Sequence, residues 1–85
     1  MGRSHRPRPK YLARKLLVVR RNLGISQVEM VKRLGFDKIH PAHISAYERA
    51  EREPPLPVLL KYARLAGVST DILIDDKLTL KAGNR

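Results

Sequence analysis

The sequence contains no cysteine and no tryptophan, only one phenylalanine, and few acidic residues. Without cysteine the chain can form neither a disulfide nor a cysteine-ligated zinc site, a composition that suits a reducing compartment. Long apolar runs are also missing, because the longest aliphatic stretch, residues 16–19, is far shorter than the roughly 20 residues that span a bilayer. No apolar segment follows the basic residues at the start of the chain, so the sequence shows no secretory signal and we expect a cytoplasmic protein.

Motifs that would indicate catalysis are absent as well. There is no glycine-rich phosphate loop, no nucleophile motif and no cofactor fingerprint. The 85 residues allow one small domain without a cleft between lobes. His40 and His43 stand three residues apart, but they have no cysteine and no well-placed carboxylate to complete a metal site. We therefore expect a protein that is not an enzyme and that needs no metal and no cofactor.

Positive charge is what the sequence has in excess. Lys and Arg number 18 against 8 Asp and Glu, for a net charge of +10. Residues 1–33 hold ten basic residues and one acidic residue, a net of +9, and residues 34–85 hold eight and seven, a net of +1. A strongly basic half on a small domain predicts a polyanionic partner, nucleic acid first and an anionic membrane surface second.

Apolar spacing and helix-end residues predict five short helices and an all-α fold. The first runs from Pro9 to Gly24, the second starts at a capping box from Ser26 to Glu29, the third spans Pro41 to Arg49, the fourth runs from Leu56 to Gly67, and the fifth from Thr70 to about Asp76. Lys15 is expected off the apolar stripe of the first helix, and Leu60 is expected to point inward from the fourth. The alternation at residues 78–80 fits either a short strand or a tail.

Five segments in order resemble the Cro/CI-type helix-turn-helix domain, the lambda-repressor-like or xenobiotic-response-element family. The segments are residues 20–27, 34–35, 44–49, 52–56 and 65–73, and the resemblance covers roughly residues 12–76. It implies a compact five-helix lambda-repressor-like bundle with a helix-turn-helix. The expected organisation is a flexible basic arm (1–8), the DNA-binding domain (9–76) and a short C-terminal tail (77–85).

The resemblance also implies a site. Gln27 matches the phosphate-contacting glutamine of the family at the start of its second helix, and the predicted phosphate contacts are Gln27, Arg49, Arg52, Arg8 and Lys10. The third helix would enter the major groove, with base contacts predicted from Ala42, His43, Ser45, Ala46 and Arg49. Pro41, Ala42 and Ala46 cannot form the bidentate hydrogen bonds usual at such positions, so polar readout falls to the other residues.

Two further expectations follow from the family pattern. Arg20 and Glu48 match an internal ion pair between the first and third helices, and a carboxylate on the inner face with Ile44 and Tyr47 requires a cation. The connection between the second and third helices is about three residues longer than usual, which would place a His- and Lys-bearing loop around residues 37–40 beside the groove.

The predicted function is a sequence-specific regulator of transcription that binds double-stranded DNA, a repressor that binds a palindromic operator as a homodimer. Candidates for the dimer surface are residues 72–74, Leu78 and Leu80. One alternative is an antitoxin-like or partner-recruiting module whose main contact is another protein. The sequence also leaves open single-stranded or RNA binding through the tyrosines, and a basic membrane-surface helix over residues 9–23. The family leads us to expect a bacterial or phage protein associated with the nucleoid.

Overall fold

The computed structural model describes residues 9–81, and in this range the chain forms five α-helices and no strand. The helices are α1 (Leu12–Leu23), α2 (Gln27–Leu34), α3 (Pro41–Glu48), α4 (Leu56–Ala66) and α5 (Thr70–Ile74). The prediction of an all-α, five-helix fold is confirmed, and residues 78–80 do not form a strand. Residues 1–8 and 82–85, which include the predicted basic arm, lie outside the described residues.

The predicted helix ends are reproduced at α2. The Ser26 hydroxyl accepts a hydrogen bond of 3.0 Å from the Glu29 N–H, which caps the helix. The second half of the expected capping box is not the bond that forms, because the Glu29 carboxylate accepts from Arg33 instead, at 3.3 Å. Gly35 ends the helix with a φ of 75°, a left-handed conformation that strains residues with a Cβ atom.

The hydrophobic core takes one face from each helix, with α1 packed against α3, α4 and α5. Its buried side chains are Leu12, Leu16, Val19, Met30, Leu34, Ile44, Tyr47, Val58, Leu59, Tyr62, Ala63 and Leu73. The prediction for Leu60 is wrong, since this side chain is 42% exposed. Leu59 and Ala63 define the inward stripe of α4, and Leu60 lies about 100° beyond Leu59 around the helix axis.

Lys15 is buried on α1, contrary to the expectation that it lies off the apolar stripe, and only 7% of it is exposed. Its Nζ donates hydrogen bonds to the carbonyls of Ile72, Asp75 and Leu78, at 2.8, 3.0 and 2.9 Å. These carbonyls belong to the end of α5 and the residues after it, where backbone acceptors lack helical partners and the helix dipole favours a cation. The ammonium group therefore fixes α5 to α1.

Residues 75–81, here called the C-terminal segment, run along α1 from its start to its end. The Asp76 carboxylate accepts the N–H groups of Lys10 and Tyr11, at 3.0 and 3.2 Å. At the other end Asn22 Nδ2 donates to the Lys81 carbonyl, at 3.0 Å. Helix α1 begins at Leu12, directly after the two residues that Asp76 holds, whereas the sequence predicted a start at Pro9.

Helix length and polarity decide whether a segment can cross a bilayer. None of the helices within residues 9–81 is both long and apolar enough to do so.

Candidate nucleic-acid interface

Helices α2 and α3 pack against each other, and the predicted site lies on this pair. The inner side of α3 is closed, since Ile44 is fully buried and Tyr47 is 3% exposed. The opposite side is accessible to solvent, and we call it the α3 surface. It consists of Pro41, Ala42, His43, Ser45, Ala46 and Arg49. These residues are the positions that the sequence predicted to face the groove.

The connection from α2 to α3 contains six residues, 35–40. The Ile39 N–H donates a hydrogen bond of 3.3 Å to the Phe36 carbonyl, and both side chains pack against the core. The additional residues therefore form an anchored turn. This turn leaves Lys38 and His40 exposed immediately before α3.

The two histidines at the start of α3 are bonded to each other. The backbone N–H of His40 donates to Nδ1 of His43, at 2.9 Å. Their rings stack with centroids 5.4 Å apart, and the His43 ring also faces Tyr47 at 6.5 Å. The bond follows the capping-box pattern, with histidine at the position where glutamate or glutamine is usual. It fixes the orientation of His43 in the first turn of the helix.

Glu48 joins α1, α2 and α3 beneath the α3 surface. Arg20 donates to both of its carboxylate oxygens, from Nε at 2.6 Å and from Nη2 at 3.1 Å. Gln27 Nε2 donates to Oε1 of the same carboxylate, at 3.1 Å. The side chain of Glu48 is 6% exposed, against 18% for Arg20. The hydrogen bonds that Arg20 donates to Glu48 raise the pKa of Arg20 despite its partial burial, so the guanidinium stays charged.

A buried tyrosine lies close to this ion pair. The Tyr62 hydroxyl has no hydrogen-bond partner among residues 9–81. Burial raises the pKa of Tyr62, and the negative charge of Glu48 acts in the same direction. Burial also raises the pKa of Tyr47. Both phenols are therefore neutral at physiological pH, and Tyr62 holds an unsatisfied group that costs about 1–3 kcal/mol.

The loop after α3 carries two of the predicted phosphate contacts. Arg49 Nη2 lies 3.1 Å from Glu51 Oε1, and the two side chains are 62% and 57% exposed. Ala50 has a φ of 62°, so the chain turns sharply directly after α3. Arg52 follows and is exposed. The guanidinium of Arg49 thus has an acidic neighbour that the sequence analysis did not anticipate.

A cleft of about 110 Å³ brings Lys10 beside this loop. Lys10, Tyr47 and Arg52 are among its lining residues. Lys10 and Arg52, two predicted phosphate contacts that are far apart in the sequence, therefore line the same cleft near the end of α3. Arg8, the remaining predicted contact from this end of the chain, lies outside the described residues.

The sequence analysis missed three contacts of the predicted site residues, one of which, the bond from the His40 N–H to His43, is described above. The pairing of Arg49 with Glu51 has a local signal, because opposite charges two residues apart in a loop can meet. The bond from Gln27 to Glu48 has no such signal, since α2 and α3 must first pack together. In the part of the chain that the structure describes, no group of three or more metal-ligating side chains is found.

The comparisons with known proteins agree with this geometry. The chain belongs to the Cro/CI-type helix-turn-helix family, and the family model described as "Helix-turn-helix" matches residues 10–73. Membership places it among DNA-binding regulators of transcription.

A solved structure similar to the chain is that of the P22 c2 repressor protein in complex with synthetic operator 9T in the presence of Tl+. The two share 28% sequence identity over 76% of this chain and 94% of that chain, with a TM-score of 0.67. No curated protein matches the chain.

Proposed function

We propose that the chain is a sequence-specific repressor that binds a palindromic operator as a homodimer, with α3 in the major groove. The observation that carries the proposal is the α3 surface itself, an accessible side of a helix on which Arg49 is the one Lys, Arg, Asp or Glu, with Lys10 and Arg52 in a cleft near the end of the helix. Eight residues make α3 about 12 Å long, and the major groove is about 12 Å wide. The P22 c2 repressor, similar in sequence and fold, was crystallised on an operator, which supports DNA as the partner.

Phosphates would be bound around the rim of this surface. A glutamine amide has two N–H donors, and Gln27 uses one for Glu48, so the other is available at the start of α2 for a phosphate oxygen. Lys10 and Arg52 would bind the backbone near the end of α3, and Arg8 would extend this contact. Arg49 has five donors and can bind DNA while it keeps Glu51.

Base recognition would fall to the residues between these edges. The methyl groups of Ala42 and Ala46 can contact a thymine methyl but cannot form hydrogen bonds. His43, Ser45 and Arg49 are left to make the polar contacts. A surface of this kind would combine shape and methyl contacts with few directional bonds.

A homodimer would place two copies of α3 about 34 Å apart, one turn of DNA. Among the candidate residues for its surface, Leu73 is fully buried and Leu80 packs against the core, so neither is free for a partner chain. Ile74 and Leu78 stay exposed, at 37% and 38%. Sedimentation of the protein with and without its operator measures the proposed stoichiometry of two chains for each palindrome.

Selection of bound sequences from a random duplex library, at several salt concentrations, tests the proposal. We expect a palindrome to be recovered. Recovery of all sequences equally at every salt concentration would contradict specific binding.

The phosphate contacts can be tested on the selected site. Arg52→Ala should reduce the slope of log affinity against log salt by about 0.9, the value of one phosphate contact. Arg64→Ala, which removes an exposed arginine of α4 outside the proposed interface, serves as the matched control and should leave the slope nearly unchanged. Equal slopes for the two variants would remove Arg52 from the interface.

A further inference from the structure

We propose that His43 reads one base of the operator as a hydrogen-bond donor, through the N–H at Nε2. The contacted base must then present an acceptor in the major groove, as guanine, adenine and thymine do and cytosine does not. The inference rests on the proposed function and specifies which bases this position of α3 accepts.

The bond from His40 decides which ring nitrogen of His43 carries the proton. Nδ1 accepts the His40 N–H at 2.9 Å, and a nitrogen that accepts a hydrogen bond carries no proton. The proton of the neutral ring therefore sits on Nε2. A ring protonated at both nitrogens would have no acceptor for this N–H, so the cap and the donor at Nε2 belong to the same tautomer.

The ring is also held in place. It stacks between His40 at 5.4 Å and Tyr47 at 6.5 Å, and Tyr47 is anchored in the core with 3% exposure. His43 itself stays half-exposed in the first turn of α3. A side chain that stacking and a hydrogen bond already hold in place loses little conformational entropy when it binds a base.

Among the α3-surface residues of the first turn, His43 alone has a polar side chain. Pro41 and Ala42 precede His43, and Ala46 follows it one turn later. None of the three has a polar side-chain atom. The first turn of α3 therefore offers one directional donor to the groove, and its identity is set by the bond to His40.

The chemistry of the base edges then gives the preference. Guanine presents N7 and O6, adenine N7 and thymine O4 as acceptors, whereas the amino group of cytosine at N4 is a donor. A donor facing a donor leaves both groups unsatisfied. We expect a cytosine at this position to reduce affinity by about tenfold relative to the preferred base.

The test measures binding to the operator recovered by selection and to variants of it. In each variant one base pair of a half-site is changed, and the symmetric base pair of the other half-site is changed in the same way. His43→Gln and His43→Glu are a matched pair, because the side-chain oxygen of either can accept the His40 N–H in a capping box. Glutamine keeps a donor for the groove and glutamate has none. We expect His43→Gln to keep the base preference, and His43→Glu to shift it to cytosine at one position of each half-site, since carboxylates accept from its N4 amino group.

The outcomes separate this inference from the function on which it rests. If the wild-type protein selects a palindrome and His43→Glu prefers the same base at every position, His43 is not a donor to a base. If the wild-type protein selects no sequence, the proposed function fails instead. Thermal melting of both variants checks that they fold.

A spectroscopic measurement tests the tautomer without any DNA. Long-range ¹H–¹⁵N correlation spectra of the imidazoles report which nitrogen is protonated. We expect the proton of His43 on Nε2 in the wild-type protein, and a proton on Nδ1 would overturn the inference even if the variants do not fold.

Discussion

Helix α1 holds two cations against two different helices, Lys15 buried and Arg20 partly buried, and each is stabilised in a different way. Arg20 faces α3, where it binds both oxygens of the Glu48 carboxylate at 2.6 and 3.1 Å. Lys15 faces α5, where it binds three carbonyl oxygens at 2.8–3.0 Å. The first region joins charge to charge, and the second joins charge to backbone dipoles.

The two regions differ in whether they contact the candidate interface. Glu48 also holds Gln27, so the Arg20 region supports a residue of the candidate interface. The Lys15 region holds only the end of α5 and the C-terminal segment. Damage to the first region should affect both folding and DNA binding, and damage to the second should affect folding alone.

Glu48→Ala tests the first region. It leaves the guanidinium of Arg20 without its partner and frees Gln27, so we expect unfolding to become easier by about 3–5 kcal/mol. Urea denaturation measures the loss. Glu29→Ala, which breaks the exposed pair with Arg33, is the control and should cost about 0.3–0.5 kcal/mol. A change as small as that of the control would show that the buried pair does not stabilise the fold.

Lys15→Met tests the second region. It keeps an unbranched side chain but removes the donor for three carbonyls, and we expect a loss of about 2–3 kcal/mol. Arg14→Met removes the same charge from the exposed neighbouring position and should melt close to the wild type. If Lys15→Met and Arg14→Met bound operator DNA with different affinities under conditions where both are folded, the Lys15 region would affect DNA binding as well as folding.

Tyr62→Phe sharpens the account of the Arg20 region. The substitution removes the buried hydroxyl that has no partner within residues 9–81, so we expect a gain of about 1 kcal/mol. In a domain of this size that gain raises the melting temperature by roughly 4–8 °C. A lower melting temperature would mean that the hydroxyl makes a favourable bond in solution.

Asp76 gives the smallest effect, through pH. The N–H of Lys10, then that of Tyr11, lower the pKa of this exposed carboxyl below its ordinary value of 3.8. Since the folded pKa is lowered, the stabilisation is complete above the unfolded pKa and is lost as the pH falls through the folded pKa.

We therefore expect Asp76→Asn to be slightly less stable than the wild type at neutral pH and equal to it well below pH 3.8. Denaturation curves at both pH values measure this difference. Asp37→Asn, in the exposed connection before α3, is the control. If the difference in the free energy of unfolding between the wild type and Asp76→Asn persisted in acid, the charge of Asp76 would not be its cause.

The helices were predictable where their signals are local. Helix α2 begins after Ser26 and ends before Gly35 as expected, because a cap and a left-handed glycine act within one turn. The start of α1 was predicted too early: residues 10 and 11 precede the helix and are bonded to Asp76 from the far end of the chain. Lys15 did have a local signal: it stands three residues after Leu12 and four before Val19, which places it on the apolar stripe.

The candidate site was predictable to the level of helix faces. Periodicity alone separated Ile44 and Tyr47 from the exposed side of α3, and the family pattern brought Arg20 to Glu48. The bond from Gln27 to Glu48 depends on the packing of α2 against α3, so no spacing rule gives it, whereas the bond from the His40 N–H to His43 follows the capping-box spacing. Which tautomer His43 adopts follows only from the position of the His40 N–H.

The path of the C-terminal segment has a practical consequence. Asp76 lies beside Lys10, just before α1, whereas Lys81 lies beside Asn22, about 15 Å along the helix from Leu12 at about 1.5 Å per residue. Pro9 and Arg52 line the same cleft, so an affinity tag or fluorophore attached at Pro9 would lie beside the proposed phosphate contacts. Lys81 lies at the other end of α1 and is therefore the better position for immobilising or labelling the protein.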